Sequence, residues 1–251
     1  ESLIEGLASG LIGAVAVHHQ ALDREEMLLS LDQRRAGVAG HGPSPGFCGV
    51  LPSLWRELVT PDPKAAADEL ERTVTQYGFK GAMVHGFTVI DGQRLFIDDK
   101  RFWPIFERAQ ALDVPIYLHP AIPHPDVINA YYKDYAKEFP LILSAGWGFT
   151  VETSTQAVRL ILSRVFETYP RLKIILGHMG EGLPFSIWRV DHHNAWVKNL
   201  SKHPAKRPMG DYFRENFHIT VSGNFSTSAL LCSMLELGAD HIMFSTDWPF
   251  E

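Results

Sequence analysis

From residue 60 onward, short apolar runs alternate with segments of helical periodicity along this chain. Asp62-Pro63 offers an N-cap and a first-turn proline, and AAADELERTVTQYG continues to a glycine stop at Gly78. KGAMVHG follows as a short apolar strand. Asp98 is read as the cap of a helix in which Phe102, Ile105, Phe106, Ala109 and Leu112 recur at helical spacing. VPIYLHP (114–120) is the next strand, and Val158, Ile161, Leu162, Val165 and Phe166 mark one long helix over 151–168. The strand KIILGH (173–178), a helix carrying Phe185 and Trp188, and the strand FHITVS (217–222) come next. The helix TSALLCSMLELG and the strand HIMFST close the pattern.

Strands this continuously apolar are expected to be buried on both faces, as in a parallel sheet covered by helices. Strand and helix alternate without a break in composition, which predicts a single α/β domain over 1–251. Residues 1–57 are atypical: IGAVAV (12–17) and FCGVLP (47–52) read as strands flanking a helix DREEMLLSLDQRRAG and a loop GHGPSPG. A barrel and a doubly wound sheet share this pattern, so periodicity alone leaves both open.

Composition narrows the function classes. The chain has 251 residues, is 45% hydrophobic and carries a formal net charge of −6. Its basic residues are scattered apart from KHPAKR (202–207), which argues against a nucleic-acid partner. Cys48 and Cys232 form no metal-binding spacing and are read as buried thiols of a reducing compartment. No apolar run is long enough for a membrane span, and a cytoplasmic, membrane-free protein is expected.

Three strands end in a residue able to bind a metal or move a proton: His119 in YLHP, His178 in LGHMGE and Asp247 in FSTDWP. In a (β/α)8 barrel such strand ends converge on one face. Singly, each is as readily a hydrogen-bonded structural group; together they form a pattern. Imidazole and carboxylate suit Zn²⁺ or Mn²⁺, although a catalytic metal needs three or four ligands. The neighbours His18 and His19 would point to opposite faces of a strand and so cannot share an ion. Glu181 is placed to accept from His178, with an ordinary first-turn glutamate as its competing reading. Arg189 can clamp a carboxylate or bridge on a helix surface, and His85 ends a strand at the same mouth. His124, His192, His193 and His203 read as loop or surface residues.

The segments GFKGAMVHG, LDVPIYLHP, LKIILGHMGEGLPFSIWRVDHH, SGNFSTSAL and GADHIMFSTDWPFE resemble the amidohydrolase-related, metal-dependent decarboxylases of the 2,3-dihydroxybenzoate and γ-resorcylate type. The resemblance spans 60–251 and implies a (β/α)8 TIM barrel. It implies His119 and Asp247 as metal ligands, beside an acid and a histidine from a first-strand E-x-H segment. His178 and Glu181 resemble the hydrogen-bonded pair next to the substrate hydroxyl, and Asp247 the proton donor. Arg189 and Phe250 match substrate-contacting positions, and His85 stands where asparagine is common.

The implied activity is non-oxidative decarboxylation of a hydroxybenzoate-type acid by a homo-oligomer holding one divalent ion, Zn or Mn. Two alternatives accompany it. One is a metal-dependent hydrolase of a lactone, ester or amide on the same barrel. The other is an inactive, truncated chain, because no E-x-H or H-x-H segment precedes the first recognisable strand and no helix follows FSTDWPFE. On the resemblance the barrel lacks its first strand and last helix, and SLWRELV stands as an insertion.

Overall fold

Asp62 starts the first helix as its position predicts. Its carboxylate accepts from the amides of Lys64 (2.9 Å) and Ala65 (3.2 Å), supplying partners that the open first turn lacks. This computed structural model describes residues 62–90, 93–194 and 205–247, all within one compact unit. The strands IGAVAV and FCGVLP, the intervening helix, His18, His19, Cys48, His203 and Phe250 lie outside the described residues. So does the whole SLWRELV segment.

The order is α1 (Pro63–Tyr77), β1 (Ala82–His85), β2 (Phe87–Ile90), β3 (Gln93–Phe96), α2 (Trp103–Leu112) and β4 (Ile116–His119). Then come α3 (Gly148–Leu162), α4 (Val165–Thr168), β5 (Ile174–Leu176), α5 (Leu183–Asn194), α6 (Met209–Asn216), β6 (Phe217–Thr220), α7 (Thr227–Leu237) and β7 (Ile242–Met243). The strands β1, β4, β5, β6 and β7 form one sheet in that order, and every pair in it is parallel. Consecutive parallel strands joined by crossovers of one hand carry their helices on one face. That is an arc of a barrel; a doubly wound sheet reverses its order in the middle.

Burial agrees with the arc and corrects one expectation. Val84, Ile116, Leu118, Ile174, Leu176, Phe217 and Ile219 are all at most 4% exposed and form the helix-covered face. The alternate positions Tyr117, His119, Ile175 and His218 are only half-buried. Burial therefore alternates with the two-residue period of a strand instead of being complete on both faces. The half-buried face is the concave one, where a ligand can enter.

The hairpin β2–β3 was not anticipated. It pairs antiparallel with Ile90 opposite Gln93, so Asp91-Gly92 joins the two strands. An Asp-Gly pair between β-prone runs is the signal that would have found it. The expected helix over 151–168 begins earlier, at Gly148, and breaks at Arg164, whose φ is 67°. Ser163 Oγ accepts from Val165 N (3.3 Å) and so starts α4 afresh. On α5, Asp191 reaches across to α6 and accepts from the amides of Met209 (2.6 Å) and Gly210 (2.9 Å), capping that helix from outside. None of the described helices is long and apolar enough to cross a membrane.

Asp98 is not the cap expected of it. Asp99 accepts from Arg101 N (3.0 Å) and opens the turn Lys100–Phe102 that leads into α2. Asp98 instead takes a two-point contact from Arg159 of α3 (2.8 and 3.1 Å), whose guanidinium lies 4.0 Å from the Phe96 ring centroid. That contact fastens the hairpin to α3. Asp98→Ala should therefore cost about 2 kcal/mol, by stranding a partly buried guanidinium, and Asp99→Ala about 1 kcal/mol or less. Urea unfolding of the two variants checks the order; equal losses would restore Asp98 as a simple cap.

Candidate active site

Two histidines mark the first part of the site. His85 ends β1 and His119 ends β4, and the register sets them side by side. Their rings meet edge to face with centroids 5.3 Å apart. Both Nδ1 atoms approach one acceptor, the carbonyl of Pro120, at 3.1 Å from His85 and 2.8 Å from His119. A carbonyl only accepts, so each ring places its proton on Nδ1 and leaves Nε2 as the basic nitrogen. Burial, with the neighbouring His85 and His178, pulls the His119 pKa below its ordinary value despite the Pro120 contact and Asp247. His119 is thus a neutral imidazole, the form that binds metals.

The second part is a left-handed turn directly after β5. His178, Met179, Gly180, Glu181 and Gly182 all have φ between 50° and 74°. Such conformations are unfavourable for residues with a Cβ, and their concentration here marks a backbone held in place by its contacts. The turn brings Glu181 Oε1 to 2.6 Å from His178 Nδ1. Glu181 Oε2 accepts from Thr150 Oγ1 of α3 at 2.9 Å, so both carboxylate oxygens are engaged. The Glu181 side chain has no exposed surface. Its place in the turn, ahead of α5, removes the reading of an ordinary first-turn glutamate.

Asp247 completes the cluster from beyond β7, itself at φ 60°. Its Oδ2 lies 3.7 Å from His178 Nε2, within ion-pair range but beyond a hydrogen bond. Burial lowers the His178 pKa, yet the hydrogen bond to Glu181 and the nearby charge of Asp247 and Glu181 outweigh it and hold the pKa up at about 10. His178 is accordingly an imidazolium between two carboxylates at neutral pH.

The structure thus brings together His85, His119, His178, Glu181 and Asp247. Arg189 stays apart: it is exposed on α5, with no ion pair among the described residues. Phe250 lies outside them. Of the histidines read as peripheral, His124 is largely covered and contacts Arg94, while His192 stacks on Trp188 at 4.8 Å. Tyr117, Thr150 and the Pro120 carbonyl were missed. Tyr117 could have been found from its two-residue spacing to His119, which puts both on the concave face; nothing in the sequence signals Thr150.

A divalent ion suits these donors in part. His119 offers a neutral Nε2 fixed by a carbonyl behind it, and Asp247 offers carboxylate oxygens, the usual donor types for zinc or manganese. Among the described residues no group of three or more His, Cys, Asp or Glu side chains is assembled around one point.

Comparison with known proteins gives the family. The amidohydrolase family profile matches residues 55–251. A γ-resorcylate decarboxylase from Polaromonas sp. is 52% identical over 192 residues, covering 76% of this chain and 57% of the relative. A γ-resorcylate decarboxylase from Rhodococcus jostii is 43% identical over 240 residues, covering 92% of this chain and 70% of the relative. Among solved structures, a dihydroxybenzoic acid decarboxylase from Polaromonas sp. with bound manganese and the inhibitor 2-nitroresorcinol superposes with a TM-score of 0.71 at 52% identity. That match covers 76% of this chain and 57% of the other. The chain thus spans a little over half the length of the Polaromonas relative and about two thirds of the Rhodococcus one. A parallel α/β arc of the TIM-barrel type, the strand-end histidines and the length of these matches together make the chain a member of the amidohydrolase family.

Proposed function

We propose that this chain is a metal-dependent carboxy-lyase that removes CO₂ non-oxidatively from a hydroxybenzoate-type acid. The observation that carries the reading is the buried Glu181–His178 pair facing Asp247 across 3.7 Å. The relatives' names supply the reaction class. We read residues 1–251 as one barrel domain of a homo-oligomer, with manganese the favoured ion because the Polaromonas structure holds it.

His119 and Asp247 are the residues that would hold the ion. When bound, it supplies positive charge that fixes and polarises the acid's oxygens. The remaining chemistry belongs to the chain. Asp247, a carboxylate beside His178 in the free site, first takes up a proton from solvent and then delivers it to the ring carbon bearing the carboxylate, forming a C–H bond and interrupting aromaticity. The C–C bond to the carboxylate then breaks, CO₂ departs, and the electron pair restores the ring. One proton is consumed for each CO₂ released. His178, as an imidazolium oriented by Glu181, donates to the ortho-oxygen and steadies the charge on it. His85, with its proton turned to Pro120, offers Nε2 to accept from a ring hydroxyl. Arg189 and Phe250 are retained as substrate-contacting residues on the resemblance.

Asp247→Asn should lower kcat by at least about a thousandfold, since the proton donor is lost. The measurement is CO₂ and resorcinol release from 2,6-dihydroxybenzoate with Mn²⁺ present, run beside acid release from simple lactones. Full decarboxylation by the variant would sink the role of Asp247, and lactone opening without CO₂ release would favour the hydrolase.

Glu181→Gln tests the pair through pH. The His178 pKa is raised, so the stability it contributes is complete below its unfolded value of about 6.5 and is lost as pH rises through about 10. Without metal, the stability gap between wild type and Glu181→Gln should therefore be large at pH 6 and shrink towards pH 10. A gap that widens with pH would contradict the assignment.

A further inference from the structure

Beneath the histidine–carboxylate cluster lies a group of hydroxyls that the proposed chemistry does not use. Tyr117 Oη is 3.5 Å from Thr220 Oγ1, the outer limit of a hydrogen bond, and Thr220 Oγ1 is 2.7 Å from Ser222 Oγ. Thr220 is 5% and Ser222 2% exposed, so these hydroxyls must find their partners within the protein.

Two glycines connect this group to the site. A methyl group on Gly177 would lie 2.8 Å from Tyr117 Oη and 3.5 Å from Ser222 Oγ, so both hydroxyls occupy the space that only a glycine leaves just before His178. A methyl group on Gly223 would lie 2.8 Å from His178 Cδ2 and 3.3 Å from Asp247 Oδ2. Gly223 has φ 61° and directly follows Ser222. The hydroxyls therefore lie beside Gly177, which precedes His178, and Ser222 leads directly into Gly223, against which the side chains of His178 and Asp247 pack. The 3.7 Å gap between those two side chains is not closed by a hydrogen bond of its own, so it has to be set from behind.

We propose that Tyr117 is a positioning residue, whose hydroxyl, through Thr220 and Ser222, braces the Gly177–His178 and Ser222–Gly223 segments and so fixes His178 against Asp247. The inference rests on the decarboxylase reading above. It assigns Tyr117 no contact with the substrate; its effect passes through His178.

Tyr117→Phe keeps the ring and removes the brace. With Mn²⁺ present and 2,6-dihydroxybenzoate as the probe, kcat should fall roughly tenfold while KM stays within about twofold. The melting temperature and the Mn²⁺ affinity, read by electron paramagnetic resonance of the ion alone, should match wild type. Should Tyr117→Phe fail to fold, Ser222→Ala carries the same expectations. A kcat within about twofold of wild type overturns the proposal, as does a parallel fall in melting temperature and Mn²⁺ affinity, which a merely structural tyrosine would give. A wild type that releases no CO₂ refutes the reading of function and leaves the brace to be judged by the His178 ring resonances in NMR spectra. Displaced resonances in Tyr117→Phe support it, and unchanged ones overturn it.

Discussion

A carboxylate with no exposed surface needs a partner, and the contact between Glu181 and His178 is the constraint around which the site is arranged. The contact requires a turn of opposite hand to the helices, and His178, Met179 and Glu181 adopt it despite their Cβ atoms. Left-handed backbone costs about 1–2 kcal/mol for each such residue. The return is an imidazolium whose orientation is fixed on one side by Glu181 and whose other nitrogen faces Asp247. Removing Glu181 therefore affects charge, geometry and backbone together.

The rest of the described fold serves that turn. The buried face of the sheet, with Ile174, Leu176 and Ile219 essentially inaccessible, fixes where β5 ends and hence where the turn begins. Helix α3 delivers Thr150 to the second oxygen of Glu181 and, through Arg159, ties down the hairpin that follows His85. The parallel register sets His85 beside His119, and one carbonyl then decides the tautomer of both. A site that protonates carbon and steadies a charged oxygen, as proposed for this one, needs groups fixed before the substrate arrives. These are connections of that kind.

Much of this was legible in the sequence. His119, His178 and Asp247 were identified because polar groups at the ends of apolar strands are unusual, and Glu181 because it follows His178 at a distance that allows contact. A parallel sheet followed from the alternation of runs, but its strand order did not, since a barrel and a doubly wound sheet share that alternation. Other features depend on tertiary contacts and left weaker signals. Asp98 and Asp99 are adjacent carboxylates before one helix, and only the position of Arg159 decides which of them caps it. The left-handed turn in HMGEG is hinted at by its glycines, but φ at His178 and Met179 is set by the buried pair. Tyr117 looked like an ordinary strand aromatic, and its role depends on Gly177 and Ser222, which are distant in sequence.

The central claim is that His178 is an imidazolium held between two carboxylates. The most direct measurement is a long-range ¹⁵N–¹H spectrum of the metal-free protein carrying ¹⁵N-labelled histidine, followed from pH 6 to pH 11. The account predicts that both ring nitrogens of His178 remain protonated well above neutrality and titrate near pH 10. A His178 ring that is already neutral at pH 8 would contradict it.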